Sequence, residues 1–277
     1  MKESMTTILQ GLAVGGSMTV PGISGGSMAI ILGIYDRLLY SVANIFSQPK
    51  NCLPYLIKFS LGAAAGIFLI AGLVSFVLDT PAGLPLRFFF LGAVAGGIPL
   101  IFRRAELKKM SPAAMLLILS GAAAVLLLGM LPEGLFIPVK NGVGAAVIQF
   151  AGGILIAAAL VLPGISASHM MYILGIYEPA ADSISRMDIL PLVPLGLGGI
   201  IGTFLTAKLL GHLIERHERG CYLVILGFMA GSLYELIPSA EQPWQWLIGA
   251  VCTTAGFIMV KAICSHESKE PRTGKSN

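Results

Sequence analysis

Two serines in this chain stand in the same setting. Ser24 closes the sequence Pro-Gly-Ile-Ser and is followed by Gly25, Gly26 and Ser27. Ser166 closes a second Pro-Gly-Ile-Ser and is followed by Ala167, Ser168 and His169. Proline removes a backbone donor and disfavours helix in the residue before it, while glycine permits a tight reversal. A serine after such a break is a natural helix N-cap. The first amides of the helix that follows have no partner within it, and the helix dipole is positive at that end. The chemistry on offer is anion binding, suited to a phosphate or carboxylate. One such motif could equally be a packing kink; two copies favour a ligand site.

Other side chains near these breaks could contribute. His169 replaces Ser27 of the first copy and could donate to an anion or carry a proton; a structural, hydrogen-bonded histidine is the alternative. Asp36 and Glu178 close the Leu-Gly-Ile-Tyr box after each break, where they could end a helix at the membrane interface or serve as gating or headgroup contacts, and Arg37, which follows Asp36, could meet a headgroup or only anchor the helix end. Lys58, Arg87 and Lys208 lie near the ends of apolar runs, where long basic side chains snorkel to water. The cysteines show no metal-ligand spacing, and no metal site or catalytic residue is expected.

The surroundings are those of a membrane. The 277 residues are 56% hydrophobic and only 12% charged, with a mean hydropathy of +0.85; a soluble domain carries about 25% charged residues. The net charge of +4 reflects membrane topology rather than nucleic-acid binding. No cleavage pattern of a signal peptide closes the N-terminal apolar run.

The sequence predicts an all-α polytopic membrane protein. Apolar stretches at 53–78, 86–102, 112–131, 190–214, 221–237 and 244–263 read as spans. Those at 5–45 and 143–177 are too long for one span and are broken by Pro-Gly near the middle. Placing the basic loop Arg103 to Lys109 inside makes each broken stretch a re-entrant hairpin of two short helices, entering from opposite faces, with both termini cytoplasmic. From Pro21 and Pro163, 10 of 16 positions are identical. GIFLIAGL from Gly66 matches GTFLTAKL from Gly202, and LGAVAG from Leu91 matches LGFMAG from Leu226. Residues 1–135 and 136–264 are thus expected to form an inverted repeat, each half one hairpin plus three spans. Residues 265–277 are expected to be a disordered tail.

The stretches VPGISGGSMAIILGIYDRLL, LGAVAGGIPLIFRRAE, LVLPGISASHMMYILGIYEP and VPLGLGGIIG together resemble the DUF368 family, the bacterial polyprenyl-phosphate translocases. The resemblance covers about residues 5 to 240. It implies return of undecaprenyl phosphate across the cytoplasmic membrane, with that lipid and membrane lipid as partners. Family members carry an Asp or Asn before the first Val-Pro-Gly; here Met18 and Thr19 stand there, and a hydroxyl of Ser17 or Thr19 would have to substitute. No cofactor is expected. Proton or sodium coupling and a homo-oligomer both stay open.

Two other readings remain. An undecaprenyl pyrophosphate phosphatase would need a nucleophile with an activating base and a neutralising charge. Ser166 and His169 can be drawn in that role, but no third group is evident, and neither Pro-Gly-Ile-Ser tip contains an arginine. A secondary transporter for a soluble organic anion would share the same helix-terminus site.

Overall fold

The computed structural model describes residues 2–20, 23–106, 110–135 and 142–267. Pro21 and Gly22 of the first break, Leu107 to Lys109 of the basic loop, residues 136–141 and the tail from 268 lie outside the described residues. Every element among those described is helical: α1 (Lys2–Ser17), α2 (Gly25–Ile31), α3 (Tyr35–Ala43), α4 (Pro49–Leu78), α5 (Gly83–Arg104), α6 (Pro112–Gly129), α7 (Val143–Val161), α8 (Ala167–Ile173), α9 (Tyr177–Ser185), α10 (Val193–Leu236) and α11 (Pro243–Glu267). Among the described residues, six helical stretches are long and apolar enough to cross a membrane: 49–78, 83–104, 112–129, 143–161, 190–236 and 243–263. Large apolar side chains such as Phe68 and Leu69 on α4 point outward at 85% and 70% exposure, as suits a protein whose solvent is lipid.

The breaks fall where proline and glycine put them, but each broken stretch has three helical pieces, not two. A second interruption follows α2 and α8, at Gly33 and Gly175, with φ of +64° and +68°. Glycine enters that region without the steric cost a Cβ brings. As a consequence Asp36 and Glu178 sit in the first turns of α3 and α9, not at a helix end. A carboxylate there complements the helix dipole.

Two further expectations are corrected. The stretches 190–214 and 221–237 form two helices as expected, but they meet at a kink and not at a loop. They merge into α10 through a single non-helical residue, His217 (φ −136°, ψ 49°). Residues 211–220 hold two Glu, two Arg and a Leu, good helix formers, and no proline. The 44 residues of α10 would extend about 66 Å if straight, twice the ~30 Å of hydrocarbon. At the other end, α11 continues to Glu267, so residues 265–267 are helical rather than part of a loose tail.

Glycine lets these helices touch at the backbone, and the contacts recur along the chain. A Cβ on Gly11 would strike the carbonyl of Phe59, and one on Gly153 would strike that of Leu195. Gly62 faces the Ile8 carbonyl, and Gly198 that of Phe150. Between α5 and α11, Gly92 lies on the Thr253 carbonyl and Gly256 on that of Phe89; between α6 and α10, Gly227 lies on the Ile118 carbonyl and Gly121 on that of Val224. Such close approach is how helices associate where lipid removes the hydrophobic drive between them. The main pairings are therefore α1 with α4, α7 with the N-terminal part of α10, α5 with α11, and α6 with the C-terminal part of α10.

Candidate functional site

The two Pro-Gly-Ile-Ser breaks meet. The amide of Gly164 donates to Ser24 Oγ (3.1 Å) and to Ser27 Oγ (3.0 Å). Gly164 has φ +86°, and a Cβ there would come within 2.6 Å of the Phe228 backbone, so glycine is required twice over. Ser24 caps α2 by accepting from the Ser27 amide (3.1 Å), and Ser166 caps α8 by accepting from the His169 amide (3.3 Å). Both serines are thus N-caps, as their setting predicts.

The two sides of this junction differ. Ser24 and Ser27 are 4% and 2% exposed, and Gly25 and Gly26 are buried with them. In the second copy Ser168 is exposed, and Ser166, Ala167 and His169 are only half-buried. The Nε2 atom of His169 is itself buried and has no hydrogen-bond partner. Likewise Tyr35, at the start of α3, is 3% exposed and donates to the Val161 carbonyl (3.0 Å). Tyr177, its counterpart at the start of α9, instead stacks on Tyr172, with ring centroids 4.1 Å apart. The α2 tip is inserted against α5, α7 and α11, whereas α8 packs chiefly on α7 and α9.

A polar cluster fastens the buried side. Arg104, the last residue of α5, pairs with the Asp36 carboxylate. Tyr222, on α10, accepts from Arg104 Nη1 (3.0 Å) and donates to Asp36 Oδ1 (2.9 Å). The cluster ties α3 to both α5 and α10.

At the N-terminal end of α5, Arg87, Phe90, Glu235, Ser239 and Val20 line a cavity of about 140 Å³, together with Leu236, Ile237 and Pro238.

Most of the other candidate residues have partners within the protein. Ser17 and Thr19 donate their hydroxyls to the carbonyls of Val14 and Gly16, both at 2.7 Å, which satisfies the end of α1 rather than presenting a donor to a ligand. Arg37 is bonded to Glu3 (3.0 Å) and lies 4.4 Å over the Tyr55 ring, which holds α3 against α1 and α4 and away from the tips. Asp36 belongs to the fastening cluster, and Glu178 is exposed. Arg104, Tyr222, Arg87 and Glu235 were not singled out as site residues from sequence. A signal existed for two of them. Extending the match of LGAVAG and LGFMAG four residues upstream aligns Arg87 with Tyr222.

A polytopic helical protein with paired broken helices meeting at their tips is the class defined by these features. The chain matches the family described as VCA0040-like, undecaprenyl phosphate translocase-like, over residues 14–249, and it belongs to that family. Similar proteins include one named polyprenyl-phosphate transporter from Vibrio cholerae, 28% identical, covering 96% of this chain and 97% of the relative. Another of that name, from Staphylococcus aureus, is 27% identical and covers 91% and 93%. No solved structure matches.

Proposed function

We propose that the protein is a flippase that moves undecaprenyl phosphate across the bacterial cytoplasmic membrane and so returns the lipid carrier for reuse. Family membership and the relatives' names support the substrate class. The observation that carries the mechanism is the contact of Gly164 with Ser24 and Ser27, which joins the two Pro-Gly-Ile-Ser tips while leaving one buried and the other accessible. Moving a phosphate through hydrocarbon is the expensive step. In this reading the headgroup is received by Ser166, Ala167, Ser168 and His169 on the open side. It passes to Ser24, Gly25, Gly26 and Ser27 when that tip withdraws from Gly164. The prenyl tail stays in lipid throughout.

The architecture we propose is an inverted repeat, with both termini cytoplasmic and the two broken stretches entering from opposite faces. The recurring glycine contacts support it. Both members of the Gly11–Phe59 pair return shifted, by 142 and 136 residues, as Gly153–Leu195, and both members of Gly92–Thr253 return shifted by 135 as Gly227–Ile118. The same pairings make rigid rocking of whole halves unsuitable, since α6 packs on α10 and α11 on α5. The moving units are instead α1–α4 and α7 to the N-terminal part of α10, working against a scaffold of α5, α6, α11 and the rest of α10. Alternating access then exposes the junction to one leaflet at a time.

A phosphatase is less well supported. Ser166 Oγ accepts from the backbone amide of His169, and the His169 Nε2 atom has no partner, so that nitrogen does not engage the hydroxyl. The test is a Ser24→Ala/Ser166→Ala variant reconstituted in liposomes, with and without proton and sodium gradients. Loss of the caps costs about 1 kcal/mol each, so the variant should stay folded by thermal melting. Movement of undecaprenyl phosphate is expected to be abolished; full activity would sink the junction as the headgroup site.

A further inference from the structure

The cluster that fastens the buried side has a counterpart in sequence register, and two of the counterpart's three residues line the cavity at the N-terminal end of α5. Asp36 corresponds to Glu178 at the shift of 142 residues, Tyr222 to Arg87 at 135, and Arg104 to Ser239 at 135. Arg87 and Ser239 both line the cavity. Glu178, one residue into α9, is exposed. Among the described residues neither Glu178 nor Arg87 is in an ion pair, although Asp36 and Arg104 are. Arg87 and Arg104 sit near opposite ends of α5, 17 residues apart, which is about 25 Å along a helix and close to the thickness of the hydrocarbon.

From this arrangement we infer that Glu178 and Arg87 form a second ion pair, with Ser239 beside it, that closes the cavity when the Asp36–Arg104–Tyr222 cluster opens. The pair takes shape by a swing of α9 about Gly175, whose φ of +68° provides the hinge as Gly33 does for α3. The same motion carries Tyr177 off Tyr172. It brings Tyr177 toward Thr19, the register counterpart of Val161, which Tyr35 now holds. The polarity of the pair is reversed relative to the scaffold. On the closed side the arginine comes from the C-terminal end of α5, and on the open side from its N-terminal end. One helix therefore supplies the cation of both latches, so a single scaffold couples them. The latches alternate because the junction of Gly164 with Ser24 and Ser27 parts as the first latch opens and frees the second tip to move.

This inference rests on the alternating reading above and adds the residues that alternate. The test uses the full chain in lipid nanodiscs, with its native cysteines replaced and spin labels at Ala82→Cys and Ala181→Cys, beside Arg87 and Glu178. Two distance populations are expected. Asp36→Asn, which weakens the closed cluster, should raise the shorter one by at least about fivefold. Adding Glu178→Gln or Arg87→Gln should remove that gain while the fold, followed by thermal melting, persists. A distribution that ignores Asp36→Asn, or a gain that survives both neutralising changes, overturns the second latch. The same preparations are assayed for movement of undecaprenyl phosphate in liposomes. Label distances that respond as expected in a protein that moves no such lipid would leave the latches standing and remove the substrate. Transport with unresponsive distances would remove the latches alone.

Discussion

Replacing Tyr222 with phenylalanine should loosen the buried side without unfolding the protein. The hydroxyl donates to Asp36 and accepts from Arg104, at 2.9 and 3.0 Å. Phenylalanine keeps the ring, which fills a buried position and stands 5.7 Å from the Arg104 guanidinium. The Asp36–Arg104 pair survives, so the cluster weakens rather than disappears. Each lost hydrogen bond contributes about 1 kcal/mol net. Water can replace part of the loss at Asp36, whose side chain is 51% exposed, which argues against the higher values typical of charged partners. A total of about 2 kcal/mol corresponds to a roughly 30-fold rise in the population with the first tip released. Hydrogen–deuterium exchange in nanodiscs reads this directly at the Gly164 amide, whose bonds to Ser24 and Ser27 exist only while the tips are joined. Its exchange should accelerate about 30-fold, the population shift worked above, while the Ser27 amide, capped within its own tip, and the amides of α5 and α11 stay unchanged. Equal exchange in the variant and the parent protein would refute the claim that the cluster holds the tip closed. Acceleration everywhere would refute it too, since that would mark general destabilisation.

Two predictions concern backbone contacts. Gly227→Ala drives a Cβ into the Ile118 carbonyl and should lower stability by about 1–3 kcal/mol, seen as a reduced Tm in detergent, whereas Gly72→Ala faces open space and should be neutral or slightly stabilising. Gly33→Ala and Gly175→Ala each force a side chain into a left-handed conformation and should cost about 1–2 kcal/mol by the same measurement. A normal Tm for Gly227→Ala would mean that α6 and α10 are not in backbone contact.

Much of the fold was legible because proline and glycine act locally. The break at Pro163 and Gly164 and the capping by Ser24 and Ser166 follow from local conformational limits. The second interruption at Gly33 and Gly175 was not foreseen. A lone glycine inside an apolar run reads as tolerated helix, and only its positive φ reveals the hinge. The joining of two expected spans across His217 was missed for the opposite reason: the charged stretch that marks a membrane boundary is itself made of good helix formers. The tips were found by their repetition. Arg104 and Tyr222 were not, because their partnership with Asp36 spans 68 and 186 residues of sequence and exists only once α3, α5 and α10 pack together. Composition gave no hint that one tip would be buried and the other accessible, since the two motifs differ by only a few side chains.

The most direct test of the whole account is transbilayer movement of undecaprenyl phosphate in liposomes containing the purified protein, with inorganic phosphate followed in parallel. The account predicts lipid movement without phosphate release, lost when Ser24 and Ser166 are both alanine. Release of phosphate from the pyrophosphate form, or an absence of lipid movement under proton and sodium gradients alike, would contradict it.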